Sequence, residues 1–322
     1  MTETAPTADR PPGLRARRLM VLAILGTSFV GGGILYRHYW FTRPIGSGPA
    51  GPKVPAEPFR EIWSERPVLL VGIGDSITAG FGATSKHGYF DRLVANPDDE
   101  FPDMQGRCLS RVLPNLKVRN LALSGSNSIE CLEILVPRLE PQDPETFGII
   151  VMTVGGNDLI HDYGRTPPRD GAMYGATFFE AFPMVANIHA RLTKIVDRIE
   201  EKFPGGCQFF ITNVYDPTDK MGDVFNAGLP PWPDGLDVLE AHNENITTLV
   251  HRRPNLHLID MHRAFLGHGI HCRQFWRPYY DADDPHYWYW ENLEDPNDRG
   301  YDALRRLFLL EMIRVLPPLL KQ

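Results

Sequence analysis

Three short turns in this sequence carry residue types that could do chemistry: Gly72-Ile73-Gly74-Asp75-Ser76-Ile77-Thr78, Ser124-Gly125-Ser126-Asn127 and Gly155-Gly156-Asn157-Asp158. A serine hydroxyl attacks an ester only when a base removes its proton, and the charge that grows on the carbonyl oxygen must meet fixed donors. Taken singly, each turn is an ordinary capped helix start, because Gly, Asp, Ser and Asn suit turns and N-caps. Two other chemistries are excluded. A dinucleotide fingerprint needs glycine at position 77, where isoleucine stands, and no GxxxxGK[ST] phosphate loop occurs.

Each turn follows an apolar run that reads as a strand. The runs span 67–72, 118–123 and 147–154, and two more span 207–214 and 256–261. Between them lie helical patterns over 126–139, 178–203 and 236–252, with a last one over 300–316 that Pro317-Pro318 should terminate. Strands alternating with helices imply a parallel sheet covered on both faces, and function in such folds gathers at the C-terminal strand ends.

The N-terminal part has a different character. Residues 1–18 are polar and carry Arg10, Arg15, Arg17 and Arg18, and 19–36 then run without a charge. That length approaches what a helix needs to cross a hydrocarbon core. No small-x-small cleavage site follows; Tyr36, Tyr39, Trp40 and Phe41 follow instead and suit a membrane interface. The expected division is a cytoplasmic tail (1–18), a transmembrane anchor or signal segment (19–41), a Pro/Gly-rich extended linker (42–59) and a catalytic domain (60–322). This places the catalytic domain on the extracytoplasmic side of a membrane, or secretes it if the segment is cleaved. A net charge of −7 over 322 residues argues against nucleic acid as a partner. Cys108, Cys131, Cys207 and Cys272 lack the CxxC spacing of a zinc site and read as buried small residues, with one disulfide open to them in an oxidising compartment.

Taken together and in this order, the three turns resemble the blocks of the SGNH hydrolase superfamily, the GDSL-type esterases and lipases. Gly74-Asp75-Ser76 matches the first block, Gly125 the second, and Gly155-Gly156-Asn157-Asp158 the third. Pro296-Asn297-Asp298-Arg299-Gly300 looks like the end of the last. The resemblance implies a flavodoxin-like three-layer α/β/α fold with a five-stranded parallel sheet. It also implies a serine esterase acting through an acyl-enzyme on Ser76. The oxyanion hole would combine the N–H groups of Ser76 and Gly125 with the Asn157 amide, glycine at 125 permitting close backbone approach. The chemistry needs no metal or cofactor, and a small-molecule, lipid or glycan ester is the implied substrate.

The last block departs from the family pattern, which sets Asp-x-x-His directly before a Pro-Asn-like pair. Here Asn292 and Asp295 stand at those two places, and Asp295 is not an imidazole. Asp283-Asp284-Pro285-His286 keeps the spacing nine residues earlier. The expectation is therefore that His286 is the base and Asp283 orients it, with residues 287–294 as an insertion. His268, between Gly267 and Gly269, is the alternative base, and His271 a further one. Eight aromatic residues between 275 and 290 shape the substrate cleft or pack as an irregular cover. The displaced histidine keeps two other readings open: a catalytically degenerate module that binds a glycan or partner at the envelope, and an O-acyltransferase.

Overall fold

The computed structural model describes residues 13–321, in two units that divide between Thr42 and Arg43. Residues 1–12, most of the expected tail, lie outside the described residues. The first unit is a single helix, α1 (Leu14–Trp40), and none of its residues is buried within the protein. Its 27 residues run about 40 Å at 1.5 Å each. It is long and apolar enough to cross a membrane. It also takes in Arg15, Arg17 and Arg18 and passes unbroken through Gly31 to Gly33.

In the second unit, β1 (Val68–Gly74), β2 (Leu116–Asn120), β3 (Phe147–Thr153), β4 (Cys207–Thr212) and β5 (Leu256–Ile259) form one parallel sheet. The strand order is β2-β1-β3-β4-β5. Every residue of β1 and β3 is buried, as their unbroken apolar runs require, whereas the edge strand β2 is largely open to solvent. Because successive side chains point to opposite faces, the same strands feed two cores. Leu70 and Phe210 belong to one, Val71 and Phe209 to the other.

Two short helices, α2 (Ser76–Ala79) and α3 (Gly156–Ile160), follow β1 and β3 directly. The long helices α4 (Phe178–Glu200) and α5 (Gly235–His251) cover one face, and α6 (Asp298–Leu320) covers the other. The result is an α/β/α sandwich. Chain order reverses beside β1, so β1 and β3 diverge to opposite sides and leave a crevice beyond their C-terminal ends.

Three local expectations are corrected. The helix expected over 126–139 is three short turns of different pitch, Ser128–Glu130, Cys131–Leu135 and Val136–Arg138; Pro137 has no N–H to continue a ladder. Helix α6 runs through Pro317 and Pro318 to Leu320. These prolines remove hydrogen bonds only near the helix end, where Leu316 and Leu320 are still buried. Residues 43–58 are not a free tether but a strap fastened to the domain. The Ala50 N–H donates to Asp302 Oδ2 (3.0 Å), Arg299 donates to the Ser47 and Gly48 carbonyls (2.9 Å each), and Val54 is buried. A proline-rich segment cannot join the sheet, so arginine and carboxylate side chains satisfy its backbone. The four cysteines are free and buried.

Candidate active site

Ser76 is the first residue of α2, at the point where β1 ends. The helix is capped by Asp75, whose Oδ1 accepts from the Ile77 N–H (3.1 Å) and the Thr153 hydroxyl (2.6 Å). Gly74 makes this turn possible. Its φ is +131°, and a Cβ there would lie 1.9 Å from the Thr153 carbonyl oxygen on the neighbouring strand. Burial pushes the Asp75 carboxyl up to about 7, against the lowering effect of its two donors.

The other two blocks meet Ser76 through a shared set of bonds. The Leu123 N–H (3.0 Å) and the Ser126 hydroxyl (2.8 Å) both donate to the Gly74 carbonyl, which fixes the Gly125 turn beside the start of α2. Asn157 Nδ2 donates to the Ser126 carbonyl at 2.9 Å. Asp158, fully buried, clamps the two turns together by accepting from the Ser128 N–H (2.7 Å) and hydroxyl (2.6 Å). Neither the Ser76 nor the Gly125 N–H has a partner among the described residues. Glycine at 125 answers to its φ of +83° rather than to crowding, since a Cβ would meet nothing within 4 Å.

A cavity opens at these strand ends, with about 1060 Å3 of empty space including its mouth. Ser76, Thr153 and Asn157 are among its lining residues. Val154, Leu159, Tyr174, Trp232 and Leu239 are among the apolar ones, and the walls are largely apolar. Asp216 and Thr218 also line it, and the Thr218 N–H and hydroxyl both donate to the Asp216 carboxylate, which makes this a closed turn.

A family sequence profile described as GDSL-like Lipase/Acylhydrolase matches residues 73–303. The chain belongs to this family. Membership gives it the hydrolysis of ester bonds as its class of reaction. No curated protein sequence matches it. Among solved structures, it is similar to a catalytic mutant of the acetylxylan esterase Axe2 from Geobacillus stearothermophilus (16% identity, 77% of this chain and 94% of that one, TM-score 0.46). It is also similar to an extracellular lipase from Streptomyces rimosus (18%, 76% and 98%, 0.46) and to phospholipase A1 from Streptomyces albidoflavus NA297 (18%, 77% and 99%, 0.42).

Within this GDSL-family domain, the histidines stand elsewhere. None of His268, His271 and His286 lines the cavity that holds Ser76. The expected Asp283–His286 pair is not formed. His286 Nδ1 bonds to Asp284 Oδ1 (2.5 Å), and Asp284 also receives Arg299 Nη2 (2.6 Å) and Trp288 Nε1 (3.2 Å). Asp283 is exposed and uses its N–H on Asp281. The physical reason is a competing ion pair: Arg299 draws the Asp284 carboxylate inward, and the imidazole follows it to the strap, where it packs against Gly46. His268 stacks on Trp288 with ring centroids 3.5 Å apart, and burial lowers its proton affinity. His271 pairs with Asp223 (2.8 Å). The aromatic residues of 275–290 are absent from the cavity wall; Tyr287, Trp288 and Tyr289 are core residues.

Of the two vacated family positions, Asn292 lines the cavity that holds Ser76, and Asp295 is not among its lining residues. Asp295 is 1% exposed. Its Oδ2 accepts from Asn292 Nδ2 at 2.7 Å, and the Ser76 side chain lies near enough to the same carboxylate to lower its proton affinity. Oδ1 is buried with no hydrogen-bond partner among the described residues. The sequence signal for this was present: Asn292-x-x-Asp295 keeps its spacing directly before Pro296-Asn297.

Proposed function

We propose that this chain hydrolyses carboxylic esters of apolar acyl groups larger than acetyl, by way of an acyl-enzyme on Ser76. The observation that carries the reading is that Ser76 and Asn157 both line a cavity whose walls are mostly apolar. Such a cavity binds an acyl chain by removing its surface from water, worth about 25 cal/mol per Å2. Ser76 Oγ attacks the ester carbonyl while its proton passes to a neighbouring base. The oxyanion is met by the free N–H groups of Ser76 and Gly125 and by the Asn157 amide. The alcohol then leaves, and water releases the acid. Helix α1 serves as the membrane anchor, with the hydrolase unit on the extracytoplasmic side.

The full-length chain in detergent micelles is assayed with p-nitrophenyl esters of two to twelve acyl carbons, and with a fluorophosphonate that labels activated serines. Turnover that rises beyond acetate, and labelling that vanishes in Ser76→Ala, are the expected results. A folded protein that neither turns over any ester nor takes the label would sink the reading.

A further inference from the structure

We propose that Asp295 is the general base of the Ser76 reaction, and that Asn292 holds its carboxylate in position; this rests on Ser76 being the nucleophile. Three observations on separate atoms support it. The Ser76 side chain lies near enough to the Asp295 carboxylate to lower its proton affinity. The Asn292 amide fixes Oδ2 at 2.7 Å, while Oδ1 is buried with no hydrogen-bond partner among the described residues. The three histidines that the sequence offers make their bonds elsewhere, to Asp284, to the His286 carbonyl and to Asp223.

The two side chains form a consistent pair. An imidazole base donates from its second nitrogen and needs an acceptor behind it. A carboxylate base has only acceptor oxygens when ionised, so the residue behind it must donate. An aspartate at 292 would set two negative charges together; asparagine supplies the required N–H. Asn292 is itself fixed, because its Oδ1 accepts from the backbone N–H groups of Glu294 and Asp295 (3.1 Å each). The segment is further pinned by the Trp290 N–H on the Asp295 carbonyl (2.7 Å) and by the Tyr215 hydroxyl on the Glu294 carbonyl.

The environment makes this carboxylate a stronger base than an exposed one. Burial raises its proton affinity, and the Ser76 and Asn292 donors offset that only in part. Its charge in turn raises the proton affinities of Asp75, Glu294, Tyr215 and Tyr301 around it.

In the first half-reaction the Ser76 proton moves to Asp295 as the Oγ–carbon bond forms. The same proton goes to the alcohol oxygen as the ester C–O bond breaks. In the second, water gives a proton to Asp295 as it attacks the acyl carbon, and that proton returns to Ser76 Oγ as the acid departs. Asp295 ends each cycle ionised.

The test uses the full-length chain in detergent micelles and reads Ser76-dependent ester hydrolysis. Asp295→Asn should lose about a hundredfold to ten-thousandfold in kcat with KM little altered, while His286→Ala and His268→Ala stay within a few-fold of the parent. Asn292→Asp should move the acid limb of the kcat/KM profile to higher pH, because the paired carboxylates hold a proton more tightly. The double variant Asp295→His with Asn292→Asp should regain part of the rate, with its acid limb near the imidazole value of about 6.5. Parent-level kcat in Asp295→Asn, or collapse in His286→Ala while the fold persists, overturns the proposal and leaves Ser76 as nucleophile intact. If Asp295→Asn does not fold, an unmoved acid limb in Asn292→Asp overturns it instead. Undiminished hydrolysis in Ser76→Ala removes the nucleophile and this proposal together.

Discussion

The side-chain amide of Asn157 and the backbone carbonyl of Ser126 meet at 2.9 Å, tying the turn after β3 to the turn after β2. An amide nitrogen carries two hydrogens, so one is spent on orientation and one remains for an oxyanion. Asn157→Ala is therefore expected to lower kcat by about 10² to 10³, the loss of about 2.7–4 kcal/mol of transition-state stabilisation. KM should change little, because the donor acts on charge that exists only during reaction. Asn157→Asp should be worse, since a carboxylate repels the oxyanion. Steady-state kinetics check this; a loss confined to KM would make Asn157 a binding group.

Gly155 and His242 are locked together behind the same turn. The glycine has φ +111°, and a Cβ on it would stand 2.3 Å from His242 Nε2. The imidazole is fully buried and neither of its nitrogens has a partner among the described residues. Burial pushes its pKa down to about 4. The unfolded chain takes the proton first, near 6.5, so stability is lost as pH falls from about 6.5 to 4, by about 1.4 kcal/mol per pH unit. His242→Leu should remove that loss and add about 1–3 kcal/mol, because no unsatisfied nitrogen remains. Gly155→Ala should cost about 1–3 kcal/mol or more through overpacking and the left-handed backbone. Denaturant unfolding of the full chain at pH 7 and pH 5 measures both; an unchanged pH slope in His242→Leu would reject the assignment.

This pair illustrates where the sequence was readable and where it was not. The five strands stand out because buried parallel strands are continuous apolar runs, and β1 and β3 were placed within two residues. The edge strand β2 is half-solvated, so its pattern is weak and it begins two residues before the expected 118. The three turns that carry Ser76, Gly125 and Asn157 were legible because each follows a strand end, and the structure brings them together there. The surroundings of His286 were not legible, because local spacing suggested a pair with Asp283 whereas Asp284, held by a distant ion pair with Arg299, takes the imidazole instead. The strap was hidden for the same reason. Proline and glycine mark an absence of regular structure, and say nothing about the arginine that fastens it 252 residues away.

A buried ion network fixes the helix that begins at the last block. Glu100 receives Arg92 Nη2 at 2.5 Å and is paired with Arg305, while Asp302 is paired with Arg305 and with Arg306 (3.0 Å). Burial raises the Glu100 carboxyl, but Arg92 and Arg305 outweigh it and hold the pKa at about 2. With the folded value below the unfolded one, its contribution is complete above about pH 4.5 and is lost as pH falls toward 2. Glu100→Gln leaves two arginines short of a carboxylate and should cost about 3–5 kcal/mol. Unfolding measured at neutral pH tests this; a cost near that of an exposed pair, below about 1 kcal/mol, would mean Asp302 alone satisfies both guanidinium groups.

The cavity wall offers a test of chain-length selectivity that leaves the reacting groups untouched. Ile160 ends α3 and lines the cavity while remaining partly exposed, so a larger side chain there can fill the cavity without breaking the core. Ile160→Trp removes room for the distal carbons of an acyl chain and leaves Ser76 and Asn157 in place. Each methylene excluded is worth about 1–3 kcal/mol in such a site. The kcat/KM ratio for the p-nitrophenyl ester of a ten-carbon acid over that of acetate should fall at least tenfold, with the acetate value little changed. An equal loss on both esters would show that the bulk disturbs the reacting centre, and an unchanged ratio that the acyl chain lies along another wall.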